Sequence, residues 1–362
     1  MSGTSLDGVD AALTEFIDVP RKALQSKVLK TYTLPFSLEL REELLALHES
    51  GYNEIHRTAM ASNQLARLYA EAVNGLLAKA NMQPSQISAI GCHGQTIRHR
   101  PELAYTIQIG NAALLAELTG ITVVSDFRSR DIAANGQGAP LVPAFHQAVF
   151  GHPQINRTII NIGGIANLSA LNKDKAKEII GFDSGPGNML MDAWSEMHIG
   201  KRYDESGDWA MTGQVIEQLL SKLLAHAFFT LPPPKSTGRD LFNIEWLKSH
   251  LTPNDLPQDV QRTLLALTAH SIADAVQKHA PDTDEIYLCG GGAFNKALIQ
   301  HLRHLLHPVK IEPTDILGIH VSAVEAAAFA WLARQALHKA PGNLPCVTGA
   351  DGLRILGAIY AC

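Results

Sequence analysis

The residues with the most chemical promise lie where short apolar runs break into glycine. Asp183 ends one such run, in Gly181-Phe182-Asp183-Ser184-Gly185-Pro186-Gly187-Asn188, and a Gly-Pro-Gly turn leads from it into a helical pattern. A carboxylate there can serve as a general base, or it can cap the helix or brace an Asx turn. Asn188 is available as the cap, which leaves Asp183 for catalysis. Ser2-Gly3-Thr4-Ser5-Leu6-Asp7-Gly8-Val9-Asp10 gathers small residues and hydroxyls in a turn that lets backbone N–H groups approach a phosphate. A carboxylate in that turn can reach a metal through water, although the Gly-Lys-Ser/Thr of a Walker A loop is missing. Asn161-Ile162-Gly163-Gly164-Ile165-Ala166-Asn167 reads as a tight hairpin or as a second phosphate loop. Leu288-Cys289-Gly290-Gly291-Gly292-Ala293-Phe294-Asn295 sets three glycines between a strand and a helix, which suits a phosphate or a flat purine ring against the backbone. Further candidates are His93 to Thr96, Arg128 to Asp131, Asn135 to Pro140, Pro234 to Arg239 and Glu325; each alone is more often structural. Glu325 sits in an otherwise apolar helical run, so a partner or ligand is expected for it.

These segments need elements to hold them. Gly8 to Phe16 and Lys27 to Pro35 read as strands, Ser37 to Glu49 and Glu54 to Ala80 as helices. Ile87 to Cys92, Tyr105 to Ile109 and Ile121 to Ser125 are short apolar runs, the last two flanking a helix from Asn111 to Leu118. From residue 157 the pattern restarts: strands at Arg157 to Ile162, Ile165 to Leu171 and Glu178 to Phe182, then helices at Asn188 to Met197, Gln214 to Phe229 and Val260 to His279. A strand at Glu285 to Cys289, a helix at Lys296 to Leu306 and a long helix at Val321 to Leu337 follow. A strand-turn-strand-strand-helix group therefore occurs twice, which predicts two related α/β halves packed around a cleft. The division is expected near residue 128: a first lobe of 1–128 joined by 354–362, and a second of 129–353.

The bulk properties narrow the function. The 362 residues suit two domains at roughly 100–200 residues each. With 46% apolar and 18% charged residues the composition is globular. Thirty Lys and Arg against 35 Asp and Glu give a net charge of −5, which argues against a dedicated nucleic-acid binder. Val321 to Leu337, the longest apolar stretch, carries Glu325 and Arg334 and is too short for a bilayer. No secretory signal is expected. Cys92, Cys289, Cys346 and Cys362 show no metal or disulfide spacing, so a reducing cytoplasm is the simplest compartment.

Taken together, the opening loop, Gly91-Cys92-His93-Gly94-Gln95-Thr96, Gly136-Gln137-Gly138-Ala139-Pro140-Leu141-Val142-Pro143 and Phe182 to Asn188 resemble the anhydro-N-acetylmuramic acid kinases, sugar kinases of peptidoglycan recycling. The resemblance implies two actin-like (RNase-H-like) lobes with nucleotide between them, ATP and magnesium, a cytoplasmic homodimer, and an amino-sugar substrate. It also implies the reaction: ATP, water and 1,6-anhydro-N-acetylmuramic acid give N-acetylmuramic acid 6-phosphate and ADP. By that match Gly3, Thr4, Ser5, Leu6, Asp7, Gly8, Val9 and Asp10 form the first phosphate loop. Asn161, Gly163 and Gly164 belong to the second, and Gly290, Gly291, Gly292 and Asn295 to the adenosine-side loop. Asp183 is the base, Asp7 the metal residue, and His93, Thr96, Arg130 and Glu325 the sugar-pocket residues. Asn161 stands where many relatives in the wider superfamily place an Asp, so the metal is expected to depend more on the phosphates and Asp7. Family members also carry a short apolar strand ahead of the Ser-Gly-Thr-Ser loop, whereas here Met1 sits inside the motif. A shortened chain with reduced stability or activity is the expectation.

The substrate's internal bridge sets the chemistry. Water attacks C1 while O6 leaves. An inverting glycosidase needs two carboxyl groups for such a step, but here the γ-phosphoryl group takes the electron pair of O6, so one carboxylate suffices. A kinase of an ordinary open sugar is the nearest rival. A chaperone-type ATPase would need a peptide-binding domain for which no residues remain, and an actin-like filament rests on fold alone.

Overall fold

The computed structural model describes residues 1–3, 6–18, 24–174 and 177–362. It divides into two compact units, one of Met1–Val149 with Ala323–Cys362 and one of Phe150–Ser322.

In the first unit, β1 (Gly8–Ile17) and β2 (Gln25–Pro35) pair antiparallel along their whole length. Ser37 begins the next helix, Leu38–Ala46, as expected of an N-cap: its side chain accepts from the Leu40 N–H. The helix Glu54–Ala80 buries Leu65, Tyr69, Ala72 and Leu76, a stripe at helical spacing, and packs on β1 and β2. Then come β3 (Ile90–Gly91), β4 (Gln95–Arg100), β5 (Tyr105–Ile109) and β6 (Val123–Ser125). β4 pairs antiparallel with β5, and β3 runs parallel to β6. The expected strand from Ile87 shrinks to two paired residues. β4 escapes sequence reading because its Arg98, His99 and Arg100 break the apolar pattern.

The second unit carries one continuous sheet. β7 (Arg157–Ile162), β8 (Ile165–Leu171) and β9 (Ile180–Pro186) form an antiparallel meander. β10 (Glu285–Cys289) lies parallel to β7, and β11 (Lys310–Pro313) parallel to β10, giving the order β11-β10-β7-β8-β9. Three antiparallel strands followed by two parallel ones fit the expected RNase-H-like lobe. One face presents Ile160, Ile162, Leu168, Phe182 and Leu288 to a core shared with the helix Pro257–His279. The expected helix Gln214 to Phe229 is shorter, Glu217–Leu224, followed by a separate 3-10 turn at Ala227–Thr230.

The last strand, β12 (Ala358–Tyr360), pairs with β6 in the first unit. The observed units differ from the expected lobes at both limits. The helix Val324–Leu337 packs on β1, β3 and β6, so the chain rejoins the first unit at Ala323 and not at 354. Asp131 ties residues 129–149 to the same unit through Asn343 and Thr348, and the Leu24 N–H donates to the Ala148 carbonyl.

Candidate active site

The strand expected at Glu178 to Phe182 starts at Ile180 and runs on to Pro186, so Asp183 lies in the middle of β9 and the first part of the expected Gly-Pro-Gly turn is extended strand. Asp183 pairs across the sheet with Asn167 on β8, Asn167 with Asn161 on β7, and Asn161 with Cys289 on β10. Directly opposed residues share a face, so one row of the sheet carries a thiol, two carboxamides and a carboxylate, away from the core packed on Phe182 and Leu168. Two strand spacings separate the backbones of Asn161 and Asp183, about 10 Å. Asn167 is a residue that sequence reasoning quoted within its motif but gave no role; the register of β7, β8 and β9 is what places it between the other two.

Asp183 is half-buried and held by the segment after Pro232. The Thr237 N–H donates to Oδ2 at 2.9 Å, and the Asp183 N–H donates to the Lys235 carbonyl at 3.1 Å. Among the described residues no donor meets Oδ1. Burial pushes the carboxyl up to about 7, against the opposing pull of the Thr237 N–H and the Lys235 charge. A carboxylate with a proton affinity near neutrality and one open oxygen can accept a proton from water. Asn188 does occupy the N-cap position of the helix Met189–Ile199, as the sequence suggested, but its side chain donates to the Ile162 carbonyl instead of capping. The Gly163–Gly164 turn does the capping, its carbonyls accepting from the N–H groups of Gly187, Asn188 and Met189.

The three-glycine loop separates packing from other uses. Gly290 has φ +80°, and a Cβ there would fall 2.3 Å from Asn161 Oδ1; at Gly292 it would fall 2.2 Å from Ile162 Cγ2. Gly291 is exposed, and its Cβ would meet nothing closer than Asn188 Nδ2 at 3.6 Å. Packing accounts for Gly290 and Gly292, and a side chain at Gly291 would meet no steric conflict. Asn295 has a structural task, accepting from the Leu298 N–H as the N-cap of the helix Lys296–Leu305.

Of the first phosphate loop, Thr4 and Ser5 lie outside the described residues. Ser2 is buried, its hydroxyl shared with Tyr69 and donated to the Gly94 carbonyl, while Gln95 Nε2 donates to the Gly3 carbonyl. Leu6 and Val9 are core residues, which takes their side chains out of a ligand's reach. Gly8, Val9 and Asp10 are already in β1 and not in a turn. Gly8 meets the Leu34 carbonyl of β2 too closely for any Cβ, and Asp10 accepts from its cross-strand partner Thr33. Asp7 is exposed at the mouth of this loop.

The sugar-side candidates His93, Thr96, Arg130 and Glu325 fall in the first unit. Arg128, not Arg130, meets His93: its Nε and Nη2 lie 3.1 and 2.9 Å from His93 Nε2, and Nη1 donates to the Gly138 carbonyl at 2.7 Å. Arg130 points out from a short helical turn, Ser129–Ile132, and is exposed. A guanidinium only donates, so His93 Nε2 accepts and Nδ1 carries the proton, donated to the Gly94 carbonyl. Burial and then Arg128 hold the imidazole well below its ordinary range, so it is neutral. Both its nitrogens are engaged, which makes it a support for Arg128. Burial lowers Arg128 to about 10, opposed by the charges of Glu325 and Asp131. Glu325 opens the helix Val324–Leu337 within reach of that charge. Thr96 on β4 accepts from Gln108 on β5 and keeps its own proton to donate. Asp131 is fully buried and accepts from Gly138 N–H, Asn343 Nδ2 and Thr348 Oγ1, each at 2.8 Å, which pins the Gly136–Gly138 turn.

A two-unit α/β protein with a poised carboxylate, glycine turns at strand ends and an arginine-centred polar cluster has the parts of a sugar-phosphorylating enzyme. The model of the anhydro-N-acetylmuramic acid kinase family matches residues 1–362, and the chain belongs to that family. It is 55% identical to the anhydro-N-acetylmuramic acid kinase of Nitrosomonas europaea, covering 99% of this chain and 98% of that one. It is 56% identical to the enzyme of the same name from Nitrosospira multiformis, covering 99% and 97%. Among solved structures, a ROK family glucokinase from Streptomyces griseus in complex with glucose and AMPPNP is 11% identical, covers 90% of this chain and has a TM-score of 0.41. The activity of the chain is that of an anhydro-N-acetylmuramic acid kinase.

Proposed function

We propose that this chain opens the 1,6-anhydro bridge of anhydro-N-acetylmuramic acid with water and phosphorylates O6, with Asp183 as the base. The observation that carries the reading is a buried carboxylate with one oxygen tied to the Thr237 N–H and the other open, on the same sheet row as Asn161. Water gives its proton to Asp183 Oδ1 as its oxygen bonds to C1. The C1–O6 bond breaks with its electrons on O6, and O6 takes the γ-phosphoryl group, leaving ADP. No second carboxylate is required, because the phosphoryl group replaces the proton a leaving oxygen normally needs.

The backbone of the opening loop, the Gly163–Gly164 turn and Gly291 bind the nucleotide. Arg128, Thr96 and Glu325 orient the sugar, with His93 behind Arg128. Asp7 is the magnesium residue. Magnesium keeps several waters and is commonly held by one or two carboxylates plus substrate phosphates, so a single exposed carboxylate fits it. Among the described residues no group of three or more His, Cys, Asp or Glu could hold a metal. When bound it neutralises phosphate charge. A cytoplasmic homodimer completes the reading.

The test is the product formed from ATP, magnesium and 1,6-anhydro-N-acetylmuramic acid, identified by mass. N-acetylmuramic acid 6-phosphate, the substrate plus one water and one phosphoryl group, is expected. A phosphorylated sugar with its bridge intact contradicts the reading.

A further inference from the structure

The segment Pro232 to Gly238 belongs to no strand or helix, yet it holds Asp183 at two points, the main-chain N–H and Oδ2. What fixes the segment itself is Lys235. Its Nζ donates to the Phe228 carbonyl at 3.0 Å and lies 4.5 Å from the centroid of the Phe228 ring and 5.7 Å from that of Phe182, the residue before Asp183. Such seating orients an ammonium that would otherwise be free in solvent. Two charged groups of the described residues act on Lys235: Lys278, which repels it, and Asp183, which attracts it. We propose that Lys235 is a positioning residue for the base: its pegged ammonium anchors the segment that orients Asp183 and supplies the positive charge that favours the carboxylate form.

This inference rests on the reading of Asp183 as the base. It gives Lys235 two separable effects. Anchoring sets the height of the kcat plateau, because a loose segment misplaces Oδ1. Charge sets the pH at which that plateau is reached. Among the described residues, His279 is a further titratable group beside this segment. His279 of the helix Pro257–His279 packs on the Phe182 ring at 5.0 Å, and burial with Lys278 and Lys235 pushes it below its ordinary range, so it titrates on the acid side of Asp183.

The experiment is kcat against pH for wild type, K235M, K235Q, K235R and D183N in the full-length enzyme with ATP, magnesium and the anhydro sugar. Loss of the charge in K235M and K235Q is expected to move the acid-limb midpoint up by about one pH unit, and K235R to restore it. K235Q keeps a donor for the Phe228 carbonyl, so its plateau is expected above that of K235M. A midpoint that stays at the wild-type value in K235Q overturns the proposal even if kcat falls. Near-normal turnover in D183N overturns the reading of the base instead, so the two failures are distinguishable.

Discussion

The two units solve the same problem by different means. In the second, a single sheet of five strands carries Asn161, Asn167 and Asp183 in one row, and register alone brings them together. In the first, the described ladders fall into three separate groups, and His93 and Arg128 meet through side chains drawn from distant segments, with the charge of Glu325 acting on Arg128. The first unit therefore depends on buried hydrogen bonding. Asp131 holds the turn whose Gly138 carbonyl accepts from Arg128, and Arg128 in turn rests on His93. The second depends on backbone register and on glycines where strands end. A site built on a sheet tolerates loss of a side chain better than a site built on a chain of hydrogen bonds.

The sharpest way to break that contrast is at Asp131. Asp131→Ala leaves Gly138 N–H, Asn343 Nδ2 and Thr348 Oγ1 without their buried acceptor and is expected to cost about 3–5 kcal/mol. Denaturant unfolding measures it, and a loss below about 1 kcal/mol would make the network dispensable.

The next test lies in the three-glycine loop. Gly292→Ala forces a methyl group against Ile162 and is expected to cost about 1–3 kcal/mol. Gly291→Ala is expected to stay within about 0.5 kcal/mol of wild type in stability. It is also expected to weaken ATP binding at least fivefold, about 1 kcal/mol. Melting curves and ATP titration of both variants separate packing from binding; equal behaviour would merge the two roles.

Asp183 sharpens the comparison from the other side, because its burial costs stability. Its folded-state proton affinity is raised to about 7, so the stability it contributes is full below its ordinary value of 3.8 and is lost as pH rises through 7. Asp183→Asn escapes that loss. The variant is expected to match wild type near pH 4 and to exceed it by about 2 kcal/mol above pH 7. A constant difference across that range would contradict the burial argument.

The smallest effect belongs to Arg130. Arg130→Ala is expected to change stability by less than about 0.5 kcal/mol, and the KM of the sugar by no more than about twofold. Arg128→Ala strips both His93 and the Gly138 carbonyl of their partner and is expected to raise that KM strongly.

These contrasts follow what was legible in the residues themselves. β7 and β10 were readable as apolar runs ending at glycines, and β8 as the run after the Gly163–Gly164 turn; β9 was read as stopping at Phe182, but its pairing with β8 carries it through Asp183 to Pro186. Pairing partners are non-local, so the role of Asn167 between Asn161 and Asp183 could not be seen. In the first unit the candidate segment Arg128 to Asp131 was recognised, but which arginine turns inward depends on the phase of the turn at Ser129–Ile132. β4 was hidden by its basic residues, each of which finds a partner: Arg98 pairs with Glu54, His99 with Thr106 and Arg100 with Glu102. The Lys235 segment was visible as a candidate without a task, because its contacts are with Phe228, Phe182 and the backbone of Asp183. Asn295 and Asp10 show the reverse case, residues of phosphate-loop motifs that the fold uses as a helix cap and a cross-strand partner.

The central claim is that one carboxylate suffices for bridge opening, and turnover by Asp183→Asn tests it most directly. With ATP binding checked separately by titration, kcat is expected to fall by ~10²–10⁴ while ATP affinity is kept. Turnover near the wild-type rate would remove Asp183 from the role of base.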